Sequence, residues 1–168
     1  FLLYRNALTT PRAAASLLPP VVYSCVVSPT TAACGDVNGD LVADIFIAGG
    51  STAANALGAI TYYRSMFGGG FTLVGEIASP RRVLSVAVGN IDGQLGDDIV
   101  FCTATQVFFA ANLGNGVGFA TPVALLTALS VNNISIADVT GDGNKDIIIG
   151  AGANSVRFLP GMGNGAFG

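Results

Sequence analysis

The sequence predicts an all-β repeat protein, and three observations carry that prediction. A nine-residue frame rich in Asp, Asn and Gly occurs three times, beginning at residues 36, 90 and 138. The residues before the frames alternate in polarity, as in 83–89 and 131–137, and a short apolar run follows each frame. Alternation predicts half-buried strands, short apolar runs predict buried strands, and a frame that returns at nearly constant spacing predicts a repeat architecture.

The three frames have the composition of cation-binding loops. We name them loop 1 (residues 36–44), loop 2 (residues 90–98) and loop 3 (residues 138–146). Each has an oxygen-bearing side chain at positions 1, 3, 5 and 9, and a glycine at position 4 where the chain must turn sharply. Calcium accepts about six to eight oxygen ligands in flexible geometry, whereas magnesium requires a stricter octahedron. The frames therefore favour Ca²⁺.

The predicted ligands are the side chains at positions 1, 3, 5 and 9 and the backbone carbonyl at position 7. Loops 1 and 3 each carry three carboxylates, and we expect both to bind calcium. Loop 2 has Asn90 and Gln94 in place of acids, which predicts a lower affinity or an empty site. In chain order the candidate ligands are Asp36, Asn38, Asp40, Val42, Asp44, Asn90, Asp92, Gln94, Gly96, Asp98, Asp138, Thr140, Asp142, Asn144 and Asp146.

Ordinary turns are the alternative interpretation, because Asp, Asn and Gly are also the usual turn residues. The distribution of charge favours metal binding. Nine of the ten acidic residues lie within the three loops, which leaves Glu76 as the only one elsewhere. Clustered carboxylates repel one another unless a cation neutralises them. The loops are not EF-hands, since position 12 is Ile47, Phe101 or Ile149, where an EF-hand requires Glu.

Together with two glycine-rich segments, 113–119 and 161–168, these frames resemble a known repeat. The pattern Asp-x-Asn-Gly-Asp-x-x-x-Asp with apolar flanks is similar to the FG-GAP or VCBS-type repeats of integrin alpha chains and their microbial relatives. The resemblance implies a β-propeller in which each repeat is one four-stranded antiparallel blade. It also implies that calcium lies in the hairpin between the first and second strands of a blade. Loop 2 departs from the pattern, as does the number of repeats.

The chain aligns as a single array of repeats over residues 1–168, with about three blades. Residues 1–34 match the third and fourth strands of a preceding blade, 35–88 form repeat one, 89–136 repeat two, and 137–168 an incomplete repeat three. Third strands are predicted at 1–6, 60–65, 107–112 and 156–161, and fourth strands at 20–29 and 71–80. Because propellers close with about four to eight blades, we expect either a piece of a larger propeller or copies that share strands.

Composition excludes several classes of function. Charged residues make up 10% of the chain, the net charge is −3 and lysine occurs once, so no basic patch for nucleic acid is expected. The longest uncharged stretch, 13–35, contains three prolines and predicts no membrane span. Histidine is absent and Glu76 is the only acid outside the loops, which predicts that the protein is not an enzyme.

Several single residues have two interpretations. Cys25 and Cys34 either form a disulfide or are thiols, whereas Cys102 follows an apolar run and is expected in the core. The sequon at Asn133 falls in a predicted strand, where a glycan is disfavoured. The aromatic residues of two corresponding strands are expected to pack between blades; they are Tyr62, Tyr63, Phe108 and Phe109.

Two functions remain open at this point. One is a calcium-stabilised, lectin-like module for adhesion or recognition, with a protein or carbohydrate ligand. The other is a structural subunit that polymerises head-to-tail into a filament by sharing blade strands. Its partners would be other blades or copies of the same chain. Extracellular calcium is millimolar, so both predict a location outside the cell, secreted or at the cell surface.

Overall fold

The structure is a computed structural model, which describes residues 2–3, 20–25, 28–114, 117–127, 130–152 and 154–168. Every regular element in these ranges is a β-strand, so the all-β prediction is confirmed. The strands are β1 Leu2–Leu3, β2 Val21–Val22, β3 Pro29–Gly35, β4 Asp44–Gly50, β5 Gly58–Ser65, β6 Phe71–Ser79, β7 Ser85–Gly89, β8 Asp98–Cys102, β9 Gln106–Ala110, β10 Val123–Thr127, β11 Val131–Ala137, β12 Asp146–Ala151 and β13 Ser155–Leu159.

The strands form three antiparallel sheets in which neighbours in sequence are neighbours in space. Sheet I consists of β3–β6, sheet II of β7–β10 and sheet III of β11–β13. A separate pair, β1–β2, is also antiparallel. The third strands predicted from the repeat alignment correspond to β5, β9 and β13, and the predicted segment 71–80 to β6. Residues 9–19, an Ala- and Pro-rich segment that matches no strand of the repeats, lie outside the described residues.

The second strand of each sheet is the most deeply buried, as its uninterrupted apolar sequence predicts. All seven residues of β4 and all five of β8 are buried. Each of these strands lies between two neighbours of its own sheet, so its backbone hydrogen bonds are satisfied while both faces contact apolar residues. This placement fixes the loop that enters each strand.

The sheets stack in chain order, so that each has a preceding face and a following face. In sheet I, Ile45, Ile47 and Tyr63 form the preceding face and pack against Tyr23 and Cys25. On the opposite side, Phe46, Ala48, Ile60 and Tyr62 form the following face and belong to the main core, which continues through sheets II and III. The first strands β3, β7 and β11 lie side by side along this stack.

Aromatic side chains pack between successive sheets, and between sheet I and the segment that contains Tyr23, as the sequence predicts. Tyr62 contacts Phe119 edge-on at 5.4 Å between ring centroids, and Tyr63 contacts Tyr23 at 6.1 Å. Phe108 is buried and stacks on Phe101. Phe109 contacts Phe167, which follows sheet III, at 6.0 Å.

The three cysteines have different environments. Cys102 is buried in the core, as predicted, and burial raises its pKa to about 11. Cys34 is an exposed free thiol on β3, so the possible disulfide with Cys25 is not formed. The sequon residue Asn133 lies on strand β11, where its side-chain oxygen accepts a hydrogen bond from the hydroxyl of Ser85 at 2.8 Å. No helix of the described chain is long and apolar enough to cross a membrane.

Candidate metal site

The three acidic loops occupy the same place in the three sheets. Loop 1 joins β3 to β4, loop 2 joins β7 to β8, and loop 3 joins β11 to β12. The glycine at position 4 has a positive φ in each loop, of 75° at Gly39, 76° at Gly93 and 77° at Gly141. A side chain at this φ would be strained, which explains why glycine recurs there.

The residue at position 1 folds its loop through its side-chain oxygens. In loop 1, Asp36 Oδ1 accepts the backbone N–H of Gly39 at 2.7 Å, and Oδ2 accepts that of Leu41 at 2.6 Å. In loop 3, Asp138 accepts the N–H groups of Gly141 and Gly143 at 2.6 and 3.0 Å. In loop 2, the amide oxygen of Asn90 accepts the N–H of Gly93 at 2.8 Å. Position 1 therefore makes an Asx-type turn in every loop.

The aspartate at position 9 connects three segments of each sheet. Asp44, Asp98 and Asp146 are completely buried. In each, Oδ2 accepts the backbone N–H of position 2, which belongs to Val37, Ile91 or Val139, at 2.8 to 3.0 Å. Oδ1 accepts the N–H of a residue at or just beyond the end of the third strand, Ser65, Asn112 or Gly161, at 2.8 to 2.9 Å. This carboxylate fixes the loop to the third strand.

The ionisation of the loop carboxylates depends on their hydrogen bonds. The side chain of Asn38 and the N–H of Val42 lower the pKa of Asp40. The N–H and side chain of Asn144 lower the pKa of Asp142, and the N–H groups of Gly161 and Val139 lower that of Asp146. These three groups are therefore anionic at neutral pH. Burial raises the pKa of Asp98, against the opposing effect of its backbone hydrogen bonds.

The described residues include no group of three or more His, Cys, Asp or Glu side chains close enough together to hold a metal ion. The loop oxygens instead accept hydrogen bonds from N–H and O–H groups of their own loops and of neighbouring segments. Asp40 receives the side-chain amide of Asn38 at 2.9 Å, and Asp92 receives the N–H of Gln94 at 2.8 Å. In loop 3, the hydroxyl of Thr140 donates to Asp146 at 3.3 Å. The structure thus places the fifteen predicted ligands in three loops, five in each. Their coordination of a metal ion stays a prediction.

The donor chemistry of loops 1 and 3 nevertheless fits a hard cation. Each loop combines carboxylates at positions 1, 5 and 9 with an amide or hydroxyl oxygen at position 3. A carboxylate oxygen has more than one lone pair, so the oxygens that accept a backbone N–H keep capacity for a metal. Asp40 and Asp142 are exposed to solvent, whereas Asp44 and Asp146 are held by the fold.

Two residues outside the predicted ligand set connect loop 1 to loop 2. Asp97 Oδ2 accepts the N–H of Asp36 at 2.8 Å, and the N–H of Asp97 donates to the carbonyl of Asp36 at 2.7 Å. The side-chain amide of Asn112 donates to the carbonyls of Val37 and Asp97 at 2.8 and 3.0 Å. Gly96 has a φ of 91°, and a Cβ there would lie 2.6 Å from the Asn112 nitrogen. The sequence signal was the additional acid at position 8.

An apolar cleft lies beside loop 1. Its volume is about 510 Å³, and its lining includes Asp40, Val42, Met66, Phe67 and Phe71. Gly68, Gly69 and Gly70 form the turn that shapes it, with φ values of 90°, 96° and 102°. The cleft therefore places apolar side chains next to a carboxylate of the candidate metal site.

Comparison with known proteins gives no family for this chain. No family model matches it, and no curated protein matches it either.

Proposed function

We propose that the protein is a non-catalytic, calcium-stabilised module of FG-GAP type that acts outside the cell in adhesion or recognition. The observation that carries this proposal is the repetition of one hydrogen-bonded loop in three sheets. In each loop a buried aspartate at position 9 holds the loop in place, and oxygen-bearing side chains at positions 1, 3 and 5 precede it. An ordinary turn does not require this combination three times.

The sheet arrangement supports an assignment of the sheets as propeller blades. Sheets I and II are four-stranded antiparallel meanders, and their first strands lie side by side with that of sheet III. Propeller blades have this connectivity, with successive blades packed face to face. Each candidate calcium loop joins the first strand of a sheet to the second.

Bound calcium would supply positive charge among carboxylates that the fold brings into one loop. Asp36, Asp40 and Asp44 would hold it in loop 1, and Asp138, Asp142 and Asp146 in loop 3. Loop 2 would bind it more weakly, because Asn90 and Gln94 are neutral. The chain contains no histidine and has one acidic residue outside the loops, which supports a binding role over catalysis.

The apolar cleft beside loop 1 supports recognition of a ligand. Apolar walls with a few polar groups are typical of ligand sites, and the cleft combines Met66, Phe67 and Phe71 with the carboxylate of Asp40. A protein segment or a carbohydrate with an apolar face has the matching chemistry.

Thermal unfolding with and without calcium tests the proposal. At a free calcium concentration of about 100 times Kd, each bound ion stabilises the folded state by about 2.7 kcal/mol, which raises Tm by about 5–10 °C per site. The variant Asp40→Asn should lose the share of this rise that loop 1 contributes and keep the share of loop 3. Glu76→Gln is the matched control, because it neutralises the exposed acid outside the loops. Equal Tm values for metal-free and calcium-saturated wild-type protein would overturn the proposal.

A second candidate, a subunit of an extracellular filament, has one observation in its favour. The following face of sheet III is exposed, although the same face is buried in sheets I and II. A filament predicts large assemblies in electron micrographs, whereas a recognition module predicts discrete particles and a ligand on a glycan or protein array.

A further inference from the structure

Each stacked unit places a phenylalanine edge-on against an aromatic ring of the unit before it. Phe71 of sheet I contacts Tyr23 at 5.9 Å with an interplanar angle of 86°. Phe119, beyond β9 of sheet II, contacts Tyr62 at 5.4 Å and 89°. Phe167, beyond β13, contacts Phe109 at 6.0 Å and 82°. Edge-to-face packing at these distances is favourable and directional.

The candidate metal loops hold these phenylalanines in position. Phe71 is paired with Ser65, Phe119 with Asn112 and Phe167 with Gly161. These partners are the residues whose N–H groups donate to the aspartate at position 9. In every repeat, the residue that is hydrogen-bonded to the loop is therefore also the strand partner of the phenylalanine that contacts the preceding unit.

Phe158 occupies the position that receives such a phenylalanine in the earlier sheets. Strand register pairs Phe46 with Tyr62, Val100 with Phe109 and Ile148 with Phe158. Tyr62 and Phe109 are covered by the phenylalanine of the next unit. Phe158 is 54% exposed, and Val156, two residues earlier on the same face, is 74% exposed.

The β1–β2 pair, before sheet I, presents a preceding face, which is the kind of face that a following face contacts. Tyr23 packs on the preceding face of sheet I, against Tyr63 and Phe71. Strand alternation points the side chain of Val22 away from that contact, and Val22 is 72% exposed. Among the described residues, two surfaces of these kinds are therefore exposed: the following face of sheet III and the preceding face of the β1–β2 pair.

We propose that the following face of sheet III binds the preceding face of the β1–β2 pair of a second copy of this chain. The contact surface is formed by Ile148, Val156 and Phe158 on one copy and includes Val22 on the other. The contacts between sheets I and II and between sheets II and III already join faces of these two kinds, so the new contact continues an existing interface. This inference rests on the proposed stacking of blades and names the contact for the filament candidate.

Such a contact is heterologous, because it joins different surfaces of identical chains. Repetition gives a closed ring if the rotation between copies closes, and an open filament if it does not. Both products need the same two faces, and both are absent if either face is blocked on every copy.

Sedimentation velocity of wild type and two blocked variants tests the contact. Phe158→Asp introduces a charge into the face of sheet III, and Val22→Asp does so at the opposite end. We expect the wild type to form concentration-dependent species larger than a monomer, and each variant alone to be monomeric. An equimolar mixture of the two variants should give heterodimers and nothing larger, because only one compatible pair of faces remains. Val123→Asp is the matched control, since Val123 is 62% exposed on β10, and it should assemble like wild type.

Three results would overturn the proposal: a monomeric wild-type protein, assembly by either blocked variant alone, or a mixture that stays monomeric. Circular dichroism verifies that each variant folds, and Val156→Asp replaces Phe158→Asp if the latter does not. The readout is separate from that of the calcium proposal. A wild-type Tm that does not change when calcium is added contradicts calcium binding. Heterodimer formation in the mixture of variants measures the contact between copies.

Discussion

Loops 2 and 3 have the same backbone hydrogen bonds to the aspartate at position 9 and differ in the side chains at the other ligand positions. Asp98 and Asp146 are both buried, and both accept N–H groups from position 2 and from a residue beyond the third strand. Loop 3 has acids at positions 1 and 5, whereas loop 2 has Asn90 and Gln94. The comparison separates the roles within one frame: position 9 holds the loop to the third strand, and position 1 folds the loop whether it is Asn or Asp. The residue types at positions 1, 3 and 5 set the negative charge.

The two loops also differ at position 8. Loop 2 has Asp97 there, which is hydrogen-bonded to the backbone of loop 1, and loop 3 has the exposed Lys145. Loop 2 thus carries an acid that contacts a neighbouring loop while it lacks two acids that would face a cation. Loop 2, which has the fewest acids at the ligand positions, is therefore also the loop that is hydrogen-bonded to loop 1 through Asp97.

The largest expected effect is the loss of the buried aspartate of loop 2. Asp98→Ala leaves the buried N–H groups of Ile91 and Asn112 without their acceptor, and we expect it to lower the free energy of unfolding by about 3–5 kcal/mol. Asp146→Ala should cost less, since sheet III has one exposed face. Urea denaturation of metal-free protein measures both. A smaller loss for Asp98→Ala than for Asp146→Ala would contradict the comparison.

A smaller effect is expected from breaking the connection between loops 1 and 2. Asn112→Ala removes the amide that donates to two carbonyls and should cost about 1–3 kcal/mol. Lys145→Ala, at the exposed position 8 of loop 3, is the control and should change stability by no more than about 0.5 kcal/mol. Equal free energies of unfolding for the two variants would show that the amide contributes nothing.

Restoring the acids of loop 2 should remove its difference from loop 3. We expect Asn90→Asp combined with Gln94→Asp to increase calcium affinity at loop 2, because four carboxylates at positions 1, 3, 5 and 9 attract the ion more strongly than the two of the wild type, Asp92 and Asp98. Isothermal titration calorimetry should then show one more tight site per chain than in the wild type. An unchanged stoichiometry would mean that charge at positions 1 and 5 does not control binding.

The smallest effect concerns acid stability, and the two loops should respond in opposite directions. The lowered pKa of Asp146 contributes stability that is present above the unfolded-state pKa and is lost as the pH falls through the folded-state value. The raised pKa of Asp98 has the reverse sign, since its protonation on acidification favours the folded state. Asp146→Asn should therefore flatten the loss of stability below about pH 4, and Asp98→Asn should steepen it. Metal-free denaturation curves between about pH 2.5 and 6 measure the slopes.

Local patterns were sufficient to predict the strands and the turns. The apolar run after Asp44 indicated a strand buried on both faces, and β4 is one. Glycines at position 4 indicated a left-handed turn, and Gly39 has a φ of 75°. These features depend on neighbouring residues in the chain, so a single sequence contains their cause.

Contacts between residues far apart in the chain, within a repeat or between repeats, could not be predicted from the frame. Spacing indicated that Asp98 carries an oxygen needed in the loop, but not that the oxygen accepts the N–H of Asn112, fourteen residues away. The contacts of Asp97 with Asp36 join residues 61 positions apart, and they depend on the packing of one sheet on the next. The free thiol of Cys34 likewise could not be predicted, because the count and spacing of the cysteines left a disulfide with Cys25 open.

Because the preceding and the following face of each sheet differ, the stack of sheets has two different ends. Any polymer made by continuing the stack would be polar, with the face that bears Phe158 at one tip and the face that bears Val22 at the other. Growth at the two tips would then involve different side chains.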